Sequence, residues 1–425
     1  MRSVFRIGKR LIQPKGGRAA AHWIRQNHVE VLFFAHTQNQ FDALKDVWAS
    51  CTQTCRFFVT SSVVRAVGAP VEVFPTSLAA VAALGFAPLL LIRAARAKGY
   101  LRKSYKYAFD QYWLSFGIFL VWHLGLQNVR PRVLVVASDH DIHGGTLIEV
   151  ARDLGIKLVY VQHASVTDNF PPLEMDYAFL EGEDALSKYH AAGKGRAQIY
   201  LTGMPKADGF RPVATEPDEP LSIGICFNML DREVDLEQLL NAISALGHQH
   251  RMIVRPHPRM TTQQKERLRI LASARAAAFS DPAEEPVGSF LGRLQIMIAG
   301  ESSVHLEAAL SGVEPVYYAP AFAGRDTYGY LRNGLIRYVV HDLGDIRDIV
   351  EGARPEFADL VRRSKPYVAT VGTPYFRRSA ALVAELIGEL SRNACIDLSR
   401  WVTVERFSNA FRLRDDSCVT PRACS

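Results

Sequence analysis

The sequence predicts an α/β chain of two doubly wound domains, each a parallel sheet with helices on both faces, standing opposite one another across a cleft. Three observations predict it. Short apolar runs bounded by turn residues alternate with amphipathic stretches through the first half, the same alternation restarts at residue 221, and the proline- and acid-rich stretch RPVATEPDEP at 211–220 separates the two. Strands that alternate with helices find their economical solution in parallel sheets covered on both faces. The expected division is a first domain over 1–212, carrying an apolar and basic insertion at about 77–126, a second domain over 221–392, and a polar, irregular tail over 393–425.

The elements follow in order. In the first half VEVLFF (29–34) reads as a strand, followed by the loop AHTQNQ and a helix through Trp48, with a second strand at 56–60. After the insertion come the strand VLVVA (133–137), a helix over 145–154, the strand KLVYVQ (157–162), a strand at 177–180, a helix from about Asp184 and a strand at 199–201. The second half opens on the strand LSIGICF (221–227) and continues through RMIVRPHP (251–258) and LQIMIA (294–299) to about Val340. No internal repeat is visible.

Composition narrows the classes. With 425 residues, 48% apolar and 22% charged, the chain can bury two cores of ordinary size and is not a disordered one. Six cysteines (Cys51, Cys55, Cys226, Cys395, Cys418 and Cys424) show neither zinc-like nor redox CxxC spacing, so a reducing compartment is expected. The start MRSVFRIGKR is basic with no apolar stretch behind it, which reads as no secretory signal and a cytoplasmic protein.

The formal charge of +7 has a location. RAARAKGYLRKSYK (93–106) carries six positive charges and no acid, directly after an apolar run of sixteen residues (77–92) that Pro88 interrupts. Such a pairing points to an anionic membrane surface, here the inner face of the plasma membrane. The run is short for a span and broken by proline, so an interfacial or re-entrant segment is expected. A second apolar block, YWLSFGIFLVWHLGL (112–126), holds two tryptophans suited to headgroup depth. The competing reading makes both blocks core helices. Nucleic acid is not expected as a partner, because the basic stretch carries no recognisable binding motif.

Two segments carry chemistry. LQIMIAGESSVHLEAALSGVEPVYYAP (294–320) reads as strand, Gly-Glu-Ser-Ser turn, short helix, strand. The turn residues Gly300, Glu301, Ser302 and Ser303 would set backbone N–H groups and two hydroxyls around one anion at the helix start, where a phosphate fits. Glu307, four residues after Ser303, shares its helix face and could accept from two ribose hydroxyls. The plainer alternative is that the serines only cap the helix and Glu307 is solvated. In RPHP (255–258) the prolines fix His257 in a stiff loop at a strand's C-terminal end, where open α/β sheets bind ligands, with Arg255 or Arg259 adding charge.

RPHP and the paired Ser302 and Ser303 resemble the His-Pro and Ser-Ser motifs of bacterial sialyl- and polysialyltransferases and of the CDP-glycerol glycerophosphotransferases of teichoic acid synthesis. In the first half, RPRVLVVASDHDIHGG, ARDLGIKLVYVQHASV and YLTGMPKAD resemble the matching region of capsular polysaccharide transferases and, more distantly, of UDP-N-acetylglucosamine 2-epimerases. The resemblance spans roughly residues 130–320 and is one of scattered motifs. It implies two Rossmann-like domains in the GT-B architecture of glycosyltransferases, and a metal-independent, inverting transferase with no cofactor. The donor would be a nucleotide-activated sugar or alditol and the acceptor a saccharide or a lipid-linked chain. His257, Ser302 and Ser303 would hold the donor phosphates, Glu307 the ribose, and the loop at Asn228 and Met229 the base. The first domain would supply a general base, for which Asp139, Asp141 and His163, each just beyond a predicted strand end, are candidates. Where the teichoic acid relatives have a glycine after the histidine, this chain has Ala164. The acidic-acidic-Gly motif of the sialyltransferases is matched only in part, by Glu181-Gly182 or by Asp141.

Asp139-His140-Asp141 also reads as a D-x-D metal site that His143 could complete, but it falls in the domain opposite the expected phosphate turn. Two other functions fit the architecture: a nonhydrolysing UDP-sugar 2-epimerase-like enzyme, and a non-catalytic nucleotide-binding descendant.

Overall fold

The computed structural model describes residues 29–61, 63, 70–212, 220–229, 231–247, 250–321, 326–353, 355–392 and 396–414. Residues 213–219 of the linker expected at 211–220, the amino-terminal start and the last eleven residues lie outside them. In the first half the order is β1 (Val31–Ala35), α1 (Gln38–Ser50), β2 (Cys55–Val59), β3 (Glu72–Val73), α2 (Thr76–Leu84), α3 (Ala87–Arg96), α4 (Gly99–Val129), β4 (Val133–Val136), α5 (Ile142–Leu154), β5 (Lys157–Val161), β6 (Tyr177–Leu180), α6 (Glu183–Ala192) and β7 (Gln198–Leu201). The second half runs β8 (Leu221–Phe227), α7 (Glu233–Ser244), β9 (His250–Pro256), α8 (Thr262–Ser273), β10 (Ala278–Phe279), α9 (Val287–Leu291), β11 (Ile296–Ala299), α10 (Val304–Leu310), β12 (Glu314–Tyr318), β13 (Tyr338–Val340), α11 (Asp345–Gly352) and α12 (Phe357–Ser364). The chain then returns through α13 (Ser379–Ser391), β14 (Trp401–Val404) and β15 (Phe407–Leu413).

Two sheets result. The first has nine strands in the order β14-β15-β7-β6-β5-β4-β1-β2-β3, the second six in the order β10-β9-β8-β11-β12-β13. Every pairing is parallel except β14 with β15. Central strands such as β1 (VLFFA) and β4 (VLVV) are buried along their whole length, as strands covered on both faces must be. Their alternate side chains feed two cores. Leu32, Phe34, Leu134 and Val136 pack under α4 and α5, while Val31, Phe33, Val133 and Val135 pack under α1 and α13. The expected architecture of two Rossmann-like doubly wound domains is the one observed.

The carboxyl-terminal boundary differs from expectation. α13 crosses back onto the first sheet, with ten of its 13 residues buried, and its first N–H groups, those of Ser379 and Ala380, donate to Asp208 at 3.0 and 2.7 Å. A helix apolar on so much of its circumference needs cover on two sides, and the core beneath Phe33 and Val135 supplies it. The expected irregular tail holds a β-hairpin instead. Arg406 takes the left-handed φ of 72° that a tight turn requires, and β15 then adds in parallel to β7.

The insertion is divided. In the second apolar block Trp113 and Trp122 are 1% and 0% exposed, Trp122 stacking on Phe74 at 4.7 Å, so these tryptophans are core and not headgroup anchors. α2 meets α4 so closely that a Cβ on Gly117 would lie 1.8 Å from the Ala79 carbonyl oxygen, which only glycine avoids. No single helix among the described residues is long and apolar enough to cross a membrane; α2 and α3 are bent by 69° at their junction.

Candidate functional site

Parallel strands all end on one side, so the loops after them gather at the carboxyl edge of each sheet. Here the two edges face one another. The loop after β4 carries Asp139 and Asp141, that after β5 His163, that after β6 Glu181 and that after β7 Lys206, while the loop after β8 carries Asn228 and that after β11 the Gly300–Ser303 turn. The halves touch directly: Lys206 Nζ donates to Glu307 Oε1 at 2.6 Å, Lys188 Nζ to the Tyr328 carbonyl at 2.8 Å, and the Ser165 and Tyr330 hydroxyls lie 2.6 Å apart.

The centre of this junction is a buried charge cluster. Lys206 and Glu307 form an ion pair whose side chains are 9% and 10% exposed. Burial opposes the lysine's charge, but Glu307 and Glu181 outweigh it and hold its pKa above the ordinary value. Glu181 lies beside them. One carboxylate oxygen accepts from Gln162 Nε2 at 3.0 Å, and the other, buried, has no hydrogen-bond partner among the described residues. Burial pushes its pKa up to about 8, with Lys206 working against the rise and Glu307 and Asp184 adding to it. Near neutral pH Glu181 therefore carries a proton much of the time. His163 responds in the opposite sense: burial and the positive charge of Lys206 push its pKa down to about 4, against the pull of the Ala137 carbonyl. Its ring is neutral at neutral pH.

The other two base candidates are engaged elsewhere. Asp141 is the N-cap of α5: Oδ1 accepts from the N–H groups of His143 and Gly144, both at 2.9 Å, and Oδ2 from Gln40 Nε2 at 3.3 Å. This corrects its assignment as a base, because both carboxylate oxygens are held in place as acceptors. Asp139 pairs with His140, whose pKa the carboxylate raises. With Asp139 on His140 and Asp141 on a helix, the D-x-D triplet does not converge on one point, and no group of three or more His, Cys, Asp or Glu residues suited to a metal occurs among the described residues.

On the facing side the expected donor residues separate into anchors and free groups. Asn228 Nδ2 donates to the Glu301 carbonyl at 2.7 Å, tying the loop after β8 to the Gly-Glu-Ser-Ser turn. Glu301 turns its carboxylate inward, where Oε1 accepts from Thr327 and Tyr328 N–H at 2.9 and 3.3 Å and Oε2 from the Tyr317 hydroxyl at 3.3 Å. It braces the 326–331 loop rather than facing a donor. The Gly300 carbonyl bonds the buried His305 ring nitrogen at 2.9 Å. Arg255 is also buried. Its guanidinium donates to Ser280 Oγ at 2.6 Å and the Glu285 carbonyl at 2.9 Å and lies over Phe290, so it locks the β9–β10 edge instead of reaching an anion. His257 is half-buried, with Nδ1 accepting from Arg259 N–H at 3.2 Å and its pKa lowered by burial and by Arg259. Ser302 Oγ makes one long bond to Val304 N–H at 3.4 Å, and Ser303, at the helix start, makes no side-chain cap bond. The plain capping reading thus fails for Ser303. Glu307 is neither solvated nor open to a ribose while Lys206 holds it.

Two central residues were not singled out from the sequence as functional. Lys206 sits in the YLTGMPKAD stretch but reads there as one lysine among many, and its partner is 101 residues away. Glu181 was visible only as a partial motif; a carboxylate ending the apolar strand YAFL was the signal. Together the groups offer a neutral imidazole, a carboxyl poised to exchange a proton near neutrality and a fixed cation, all where the two sheets' loops meet.

No family model and no curated protein matches this sequence. Solved structures match by shape. A protein described as a UDP-N-acetylglucosamine 2-epimerase from Listeria monocytogenes superposes with a TM-score of 0.59 at 12% identity, over 87% of this chain and 98% of its own. A UDP-GlcNAc 2-epimerase from Neisseria meningitidis bound to UDP-GlcNAc gives 0.54 at 12% identity, over 86% and 100%. The wall teichoic acid polymerase TagF, soaked with CDPG, gives 0.53 at 10% identity, over 92% and 97%. Identities this low speak to the backbone alone, and the backbone they share with this chain is the two-domain GT-B fold.

Proposed function

We propose that this protein is a glycosyltransferase, or an alditol-phosphate transferase, that takes a nucleotide-activated donor against the second domain and transfers to a saccharide or lipid-linked acceptor against the first, in the synthesis of a bacterial surface polysaccharide. The observation that carries the reading is the buried Lys206–Glu307 pair joining the loops of both sheets, with Glu181 and the neutral His163 grouped around it. Fold relatives that hold UDP-GlcNAc or CDPG support an activated nucleotide as the donor class.

In an inverting displacement the acceptor hydroxyl loses its proton as the new bond forms, so a group that is already unprotonated must stand on the first domain's side. His163 is unprotonated at neutral pH, though burial and Lys206 leave it a weaker base than a free imidazole. The pairing of Asp139 with His140 and the capping bonds of Asp141 favour His163 over both. Lys206 would stabilise negative charge developing on the leaving phosphate, and the hydroxyl of Ser303, which makes no cap bond, with that of Ser302 would bind its oxygens. No step requires a metal.

Thermal shift with CMP-, CDP-, UDP- and GDP-activated donors tests the reading, followed by measurement of nucleotide release with and without saccharide acceptors. Ser302→Ala with Ser303→Ala should weaken donor binding by at least about 1 kcal/mol, the scale of one hydrogen bond to a charged group. Unchanged affinity removes the turn from the donor site. A second reading draws on the likeness to 2-epimerases: interconversion of a UDP-sugar without any acceptor would establish it. Binding without turnover of any donor would instead identify a non-catalytic nucleotide-binding descendant.

A further inference from the structure

α3 is a helix without a core. Of its ten residues only Leu90 is buried, while Leu89, Leu91 and Ile92 are 45%, 59% and 51% exposed. The helices on either side are exposed as well, at Val81 and Leu84 on α2 and Tyr100 on α4, at 55%, 48% and 85%. Ten of the fourteen exposed large apolar side chains among the described residues fall between 78 and 124, so the apolar exposure is concentrated in this one stretch of chain and is not the usual scatter.

The patch is flanked by one sign of charge. Arg93, Arg96, Lys98, Arg102, Lys103 and Lys106 are all exposed, none forms an ion pair among the described residues, and no acid occurs between Glu72 and Asp110. An interface for another protein would bring some acids or a polar rim of mixed sign. A cationic border around exposed Leu, Ile, Val and Tyr instead complements a surface that is negative at its edge and apolar beneath. That is an anionic bilayer.

The place of the patch in the fold fits this partner. α4 leads down into the start of β4, so its amino-terminal end lies toward the carboxyl edge of the sheet, where His163, Glu181 and Lys206 stand. Burial on α4 begins only at Asp110; in the overhang of residues 99–109, about 16 Å of helix, no residue is buried, only Tyr105 and Phe109 pack partly against the first core, and the helical geometry breaks at Ala108.

We infer that α3, the outer face of α2 and the overhang of α4 form a docking surface for an anionic lipid bilayer, lying in its headgroup region rather than spanning it, beside the mouth of the cleft. The inference rests on the patch alone and stands whatever reaction the cleft performs. The full chain should sediment with vesicles of equal parts phosphatidylglycerol and phosphatidylcholine, remain in solution with phosphatidylcholine alone, and be released by high salt. Changing the six cations to glutamine, or Val81, Leu84, Leu89, Leu91 and Ile92 to serine, should each lower vesicle partitioning at least about 100-fold, since stable attachment takes both signals. As a readout that keeps an aromatic side chain in the surface, Tyr100→Trp should be quenched by brominated acyl chains in anionic vesicles. Absence of vesicle binding, equal binding to neutral vesicles, an unquenched Trp at position 100, or a lipid-free dimer that the serine variant makes monomeric would overturn the inference, the last by showing that a second copy covers the face.

Discussion

Replacing Glu307 by glutamine leaves the Lys206 ammonium in a site that is 9% exposed, with the neighbouring carboxyl of Glu181 as its remaining acid. Removing one partner of a buried ion pair costs about 3–5 kcal/mol, because the survivor keeps its desolvation penalty without its attraction. Here the two single variants are unequal. After Glu307→Gln, Glu181 loses a neighbour that raises its pKa and ionises more readily beside Lys206, so the loss belongs at the lower end, about 3 kcal/mol. After Lys206→Met, the buried Glu307 carboxylate has no cation beside it and Glu181, already largely protonated, offers none, so the loss belongs at the upper end, about 5 kcal/mol. The double variant removes both charges and should recover most of either loss. Denaturant unfolding at neutral pH of wild type, both single variants and the double variant closes the cycle. Lys206→Met alone should gain stability as the pH is lowered, since protonating Glu307 removes its uncompensated buried charge. Strictly additive losses, or a Glu307→Gln variant more damaging than Lys206→Met, would refute the reasoning that this pair and Glu181 form one coupled cluster.

What the sequence made legible is what depends on local pattern. Runs such as VLFF and LVVA are β-branched and apolar without alternation, so strands covered on both faces were readable, and so was their parallel pairing. The hairpin at Trp401–Leu413 was readable in principle from the alternation W-V-T-V and F-S-N-A-F-R-L, but polar flanks masked it, and that α13 and β15 return to the first sheet is a long-range fact no window contains. The site shows the same division. Asp141 stands immediately before a helix, a cap signal by residue type, yet its place after a strand suggested chemistry instead. Arg255 and Glu301 carry charges that composition assigns to ligands, whereas the fold turns both inward to hold Ser280 and the Thr327 loop. Lys206 and Glu181 became visible only when the sheets faced each other, because a pKa set by burial and by partners about a hundred residues distant has no sequence signature.

The remaining perturbations separate structure from chemistry. Asp141→Ala should cost about 1 kcal/mol of stability through the lost N-cap while leaving donor affinity unchanged in a thermal-shift titration; a collapse of turnover in a stably folded variant would return Asp141 to the reaction. His163→Ala should lower turnover by about 10²- to 10⁴-fold with little change in donor affinity, and a loss confined to KM would make His163 a positioning residue. Glu181→Gln is read through pH. The folded-state pKa of about 8 lies above the ordinary 4.5, so the native state binds the extra proton and wild-type stability falls as the pH rises between those values. The slope approaches about 1.4 kcal/mol per pH unit, giving on the order of 3 kcal/mol by neutrality. His163, depressed from 6.5 to about 4, acts oppositely, its contribution being lost as the pH falls through that window, but it is common to both proteins and cancels in their difference. Glutamine keeps an amide in place of the carboxyl and cannot ionise. The variant should therefore match wild type below about pH 4, where Glu181 is protonated in either state, and exceed it progressively toward pH 8. A difference that stays flat across that range would show Glu181 ionised and compensated by Lys206, and with it the loss of any protonated acid at the centre of the cleft.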